Sequence, residues 1–229
     1  MSLAAAGFAR RYAAWSLDMG LMAAIAVALC APRLRTGAAA LGERWDALSA
    51  SLAGLTVEVA LYGRSPWTAA QHWLAEPRQQ ALLGALHVAV FDTLATPLAL
   101  LLGLALAWWV GWEASPWQAT PGKRMLGLRV AGSTGSTIGP GRALARHLAG
   151  TASWLTLNFG HLLALAPPAH AALHDRLAGT RVLQAAGPRA LPRWAWAWLA
   201  GQVLAMTLAG VWLASAAQDS LLRAFEALP

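Results

Sequence analysis

Four apolar runs, each close to the length of a bilayer crossing, leave this chain few folds to choose from. They are Tyr12–Ala31, Leu94–Trp112 (with apolar character reaching upstream to Ala81), Leu148–Pro167 and Trp194–Ala217. A transmembrane helix needs about 20 predominantly apolar residues. In hydrocarbon the backbone must satisfy its own N–H and C=O groups, so such runs become helices. Composition agrees: only 12% of the 229 residues are charged, against about 25% in soluble domains. The expected fold class is an all-α polytopic membrane protein with three to four transmembrane segments.

The net charge of +7 comes from 17 Lys and Arg against 10 Asp and Glu. A basic excess also marks nucleic-acid binders, but no basic helix or aromatic–basic platform is visible here. No nucleic-acid partner is expected, and the excess reads as loops obeying the positive-inside rule. The connection Glu113–His147 carries Lys123, Arg124, Arg129, Arg142 and Arg146, with Trp108, Trp109, Trp112 and Trp117 as an aromatic belt at its edge. That connection is expected on the cytoplasmic side, together with the N-terminus and its Arg10-Arg11 pair. A cleaved signal peptide fits poorly, because Asp18 interrupts the apolar core and Leu29 is too bulky before a lipoprotein cysteine. The richness in Ala, Leu, Arg, Trp and Gly points to a bacterial inner membrane. The single cysteine, Cys30, excludes an intramolecular disulfide and reads as an inert thiol in an apolar run.

Between the first two runs, Pro32–Gln80 is expected outside the cytoplasm. Trp45, Leu48, Leu52, Leu55, Val59 and Tyr62 form one stripe of an amphipathic helix. Ser65-Pro66 reads as an N-cap and first helical residue of a second helix through Trp67 and Trp73. A structural cap on the membrane surface is the favoured reading over a ligand-gating lid. Further on, Arg176, Arg181, Arg189 and Arg193 also favour the cytoplasm, so the third apolar run is expected to dip in and return rather than cross. Asn158-Phe159-Gly160-His161 would supply its polar break. Gly127–Val130 (GLRV) and Thr180–Leu183 (TRVL) are strand-like and are expected to pair. The fourth run opens on Trp194, Trp196 and Trp198. Its Gly201, Ala205 and Ala209 offer a small-residue face to a second copy or a membrane protein partner. Gln218–Pro229 reads as a short amphipathic end.

Within the first run stands Asp18. A carboxylate near the bilayer centre costs about 2.5–3.5 kcal/mol on insertion scales, so it needs a partner or a task. Arg11 lies seven residues earlier, on the same helical face. A structural lock and an ion or proton site are both open readings for Asp18. His87 and Asp92 mark the polar end of the second run; a proton path from them to Asp18 competes with plain interfacial polarity. Thr120-Pro121-Gly122 reads as a tight turn that sets Lys123 and Arg124 at the level of anionic lipid headgroups. The Gly122-Lys123 pair lacks the upstream glycine and following hydroxyl of a phosphate-binding loop. Asp175 is expected to pair with Lys123, Arg124 or Arg146, or to cap the following turn. Glu113 is a further partner for the basic cluster. His170 and His174 are spaced for zinc on a helix, but Ala171 stands where the general base of that motif would be. Neither a metal nor a cofactor is expected, and no enzyme signature is seen.

Ser115–Val130 (SPWQATPGKRMLGLRV) and Leu173–Leu183 (LHDRLAGTRVL), taken with Arg11 and Asp18, resemble the RDD family of bacterial membrane proteins. The family's arginine and two aspartates would be Arg11, Asp18 and Asp175. The Thr120–Arg124 element and the Leu173–Thr180 element, with His174, Gly179 and Thr180, carry the rest of the resemblance. It covers Phe8–Leu183, so residues 1–183 are expected to form the family domain, with 32–80 inserted and 184–229 added as a further helix and tail. The resemblance implies transport of ions or small ligands, and the intramembrane Asp18 near Arg11 suits a small cation or proton; the alternative, suggested by the small-residue and Trp-rich faces and the added helices, is a non-catalytic scaffold that assembles a partner complex.

Overall fold

The computed structural model describes residues 4–155, 159–166, 170–185 and 190–228. Three helices among them are long and apolar enough to cross a membrane: α1 (Phe8–Leu29), α4 (Pro77–Ala114) and α9 (Arg193–Glu226). Between α1 and α4 lie α2 (Ala31–Tyr62) and α3 (Pro66–Ala75). At about 1.5 Å per residue, α4 and α9 are about 57 and 51 Å long, from 38 and 34 residues. The hydrocarbon core is about 30 Å thick, so both helices run well past it. The expected short amphipathic tail is therefore corrected: Gln218–Glu226 continues α9 without a break.

The chain forms two compact units, residues 1–26 with 100–201 and residues 27–99 with 202–229. This division differs from the expected boundary at residue 183. The first unit holds α5 (Pro121–Met125), α6 (Pro140–Leu155), α7 (Phe159–Leu162) and α8 (Leu173–Leu177). It also holds a small sheet in the order β1 (Ala4–Ala5), β3 (Thr180–Gln184), β2 (Leu128–Gly132). The expected pair is present as β2 antiparallel to β3, in a register that sets Val130 opposite Val182. A third strand was not foreseen: β1 joins the free edge of β3, and the Ala6 N–H donates to the Val182 carbonyl at 3.0 Å. The all-α expectation is corrected to that extent, because two alanines carry no strand signal of their own.

The third apolar run is not a single helix among the described residues. α6 begins at Pro140 and ends at Leu155; α7 and a 3-10 turn (Leu163–Leu165) follow. Asn158, Pro167 and Arg189 lie outside the described residues. The core of this unit is built on Ala6, Ala13, Ala14, Leu126, Val130, Val182 and Ala195. Small residues on α1 let backbone approach closely, which is the packing economy of membrane helices.

In the second unit, α2 follows α1 with a single residue, Cys30, between them, and has Pro32 in its first turn. Helix therefore fills much of what was read as connection between Pro32 and Trp45. Ser65 and Pro66 take the expected cap and first positions of α3, although the serine side chain makes no cap hydrogen bond. Polar clasps hold the unit. The Ser51 hydroxyl donates to Gln79 Oε1 at 2.6 Å and accepts from the Trp73 indole at 2.9 Å. On α9, the Ser220 hydroxyl donates to Asp46 Oδ1 at 2.5 Å and lies 3.1 Å from the Ser49 hydroxyl.

Candidate functional site

Asp18 is 2% exposed. Three donors meet its carboxylate: the Thr120 hydroxyl at 2.5 Å, the Gly122 N–H at 2.9 Å and the Trp108 indole N–H at 3.2 Å. Thr120 is placed by its role as N-cap of α5. Its oxygen accepts from the Lys123 N–H at 3.3 Å, which turns its proton toward Asp18. The threonine, proline and glycine thus form the entry to a one-turn helix rather than a free tight turn. Pro121 occupies the first turn, where a missing N–H costs nothing. Gly122 serves close approach rather than flexibility: a Cβ there would stand 2.4 Å from the Ala14 carbonyl and 2.9 Å from Asp18 Oδ2.

A second cluster centres on Asp175 and Glu113, both 0% exposed. Asp175 Oδ2 accepts from Arg11 Nη1 at 2.5 Å and from the Ala172 N–H at 3.0 Å. Its other oxygen pairs with Arg146 Nη1. Arg146 also donates to the Thr180 hydroxyl at 3.1 Å, and its Nε lies 3.3 Å from Glu113 Oε2. Glu113 takes the Lys123 ammonium on Oε1, and His147 Nε2 lies 3.2 Å from Oε2. Gly179 closes the turn that delivers Thr180 to this cluster.

The three cations Arg11, Lys123 and Arg146 therefore match the three carboxylates Asp18, Glu113 and Asp175. All six are buried or nearly so. Buried charges persist when they are compensated: Glu113 and Asp175 by ion pairs, Asp18 by hydrogen bonds from neutral donors. Burial alone would raise Asp175, but Arg146 and Arg11 outweigh it and hold the carboxyl well below its usual range. Arg146 loses by burial and gains more from Asp175 and Glu113, so it is held charged. His174 is pushed down to about 3 by burial and by Arg146. His147 is lowered chiefly by burial, against the pull of Glu113.

Several expected pairings change partners. Arg11 shares a helix with Asp18 but bonds Asp175; among the described residues Asp18 has no cationic partner within ion-pair distance. Lys123 is buried on Glu113 and so is not at lipid headgroups, while Arg124 stays exposed with its guanidinium 4.9 Å from the Trp117 ring centre. Arg146 is the partner of Asp175 among the three expected cations. His170 lies outside α8 and so does not share a helix with His174; no group of three or more metal-ligating side chains occurs among the described residues. His87 and Asp92 belong to the second compact unit and Asp18 to the first.

Two contributors escaped sequence reading. Trp108 looked like an interfacial anchor, yet its N–H reaches Asp18. Arg10 looked like a topology marker, yet it donates to the Leu126 carbonyl at 2.9 Å and the Ala190 carbonyl at 2.6 Å. Neither job has a spacing signature, since the partners lie far along the chain.

Buried carboxylates held by a TPGKR helix entry, a membrane helix and an LHD turn are the frame of a small helical membrane module. The RDD family model matches residues 5–179, and the chain belongs to the RDD family. No curated protein and no solved structure gives a significant match.

Proposed function

We propose that this chain is a non-catalytic membrane assembly subunit, in which the six buried charges lock a rigid platform for a partner. The observation that carries this reading is the state of Asp18. Its carboxylate is shielded from solvent and occupied by three donors from Trp108, Thr120 and Gly122. A carboxylate that loads and releases an ion needs water or a pathway at one oxygen at least; this one supports α1, α4 and α5 instead. The platform sits in a bacterial inner membrane with the N-terminus and the Glu113–His147 connection on the cytoplasmic side, as the arginine distribution favours.

The rival reading is a small cation or proton transporter working through Asp18. Reconstitution into vesicles with an imposed pH gradient separates the two. Wild type and Asp18→Asn are expected to collapse the gradient no faster than empty vesicles. Crosslinking in native membranes, read by mass spectrometry, is expected to find a stoichiometric membrane protein partner on wild type. Gradient collapse by wild type that is lost in a folded Asp18→Asn protein overturns the assembly reading, as does finding self-contacts alone.

A further inference from the structure

The acidic residues of the first compact unit are Asp18, Glu113 and Asp175, and each of them is buried. The exposed arginines of that unit therefore meet no carboxylate at its surface. Arg124 and Arg129 are both of this kind. Arg124 also has a platform: its guanidinium carbon lies 4.9 Å from the centre of the Trp117 ring. Lys123, its neighbour in the chain, is turned inward onto Glu113, so Arg124 faces outward without it.

The Trp117 ring is the outer end of an aromatic column. Its centre stands 5.0 Å from that of Trp112, and Trp112 stands 5.5 Å from Trp108. Trp108 and Trp112 lie about one turn apart on α4 and close the apolar run that begins at Leu94. Trp117 and Arg124 follow the end of α4 at Ala114. The column therefore leads from a cation beyond the apolar run into the run itself. Tryptophan favours the level where hydrocarbon gives way to headgroups, which puts Arg124 where cations meet anionic lipid. Trp117 is 53% exposed, and Met125, next to Arg124 in the chain, is 64% exposed. Apolar surface is thus open beside the guanidinium. Charge outward and apolar surface inward is the order of a phospholipid.

We propose that Arg124, held on Trp117, binds the phosphodiester of an anionic phospholipid, with the upper part of an acyl chain against Trp117 and Trp112. A guanidinium resting on a ring has already given up part of its freedom, so less is lost when a phosphate binds. The same surface disfavours a zwitterionic lipid. A choline group needs a carboxylate or an open ring face; the acids of this unit are buried, and Arg124 already engages the Trp117 ring. The site needs no protein partner, so its failure would leave the assembly reading as it stands.

The test is native mass spectrometry of the full chain from vesicles of phosphatidylcholine with and without phosphatidylglycerol. Wild type is expected to retain phosphatidylglycerol in preference to phosphatidylcholine. One arginine near anionic lipid is worth roughly a fivefold preference, so Arg124→Gln should retain about fivefold less. Trp117→Leu keeps the guanidinium and removes its platform, and should lose roughly two- to fivefold. Both side chains are exposed, so the variants should keep the wild-type thermal midpoint. Arg129→Gln removes an exposed arginine of the same unit and should retain the lipid as wild type does. Equal retention by wild type and Arg124→Gln overturns the proposal. An equal loss in Arg129→Gln also overturns it, because the attraction would then belong to the surface charge as a whole. So does retention of added inorganic phosphate with no lipid adduct, which would make the site one for a free anion.

Discussion

At the scale of single residues, Arg146 is committed to several partners at once. It faces Asp175 and Glu113 together and reaches Thr180 besides. Removing one partner from a buried ion cluster costs about 3–5 kcal/mol, because the charges left behind lose their compensation. Arg146→Met should lower stability by that amount, read as the thermal midpoint in detergent micelles. Arg124→Gln is the contrast. Its guanidinium is exposed over Trp117, an arrangement worth about 0.5–1 kcal/mol, so the midpoint should hardly move. A large loss in Arg124→Gln, or a small one in Arg146→Met, would contradict the reading of which cations are structural.

At the scale of elements, the short α3 depends on α2 and α4 for its place. A ten-residue helix is marginal alone. Ser51 ties the three together by bonding both Trp73 and Gln79. Ser51→Ala strands an indole N–H and an amide oxygen, at about 1–3 kcal/mol. Amide hydrogen exchange in Pro66–Ala75 should quicken by one to two orders of magnitude, while exchange in β2 and β3, which belong to the other unit, should stay as it was. Uniform quickening across both units would show that the clasp is not local.

At the scale of the whole molecule, acid should loosen the fold well before carboxylates titrate. His174 takes a proton near 3 in the folded protein, and an unfolded imidazole takes one near 6.5. Between those values the unfolded chain binds more protons, so stability falls as pH falls. One such imidazole is worth roughly 1 kcal/mol per pH unit, and His147 is shifted in the same direction. Asp175, whose folded value is depressed, adds its own loss below about 4. The thermal midpoint of wild type should drop from pH 6.5 downward. His174→Gln should flatten the upper part of that curve, leaving the lower, carboxylate part in place. A wild-type midpoint unchanged between pH 6.5 and 4.5 would refute the buried neutral imidazole.

The chain by itself determined its membrane class, its long apolar helices, the β2–β3 pairing and the motifs from which most of the Asp18 and Asp175 contacts are drawn. These are local quantities: apolar length, helical and strand periodicity, turn chemistry, and a cost for charge in hydrocarbon that demands a partner. Which partner was decided only by tertiary structure. Arg11 sits two turns from Asp18 yet bonds a carboxylate 164 positions away, because β1 beside β3 sets the start of α1 against α8. Lys123 looked like a lipid contact and is buried on Glu113, because the one-turn helix at Pro121 turns it inward. Burial is a property of what packs above a residue, and no stretch of sequence states its own neighbours.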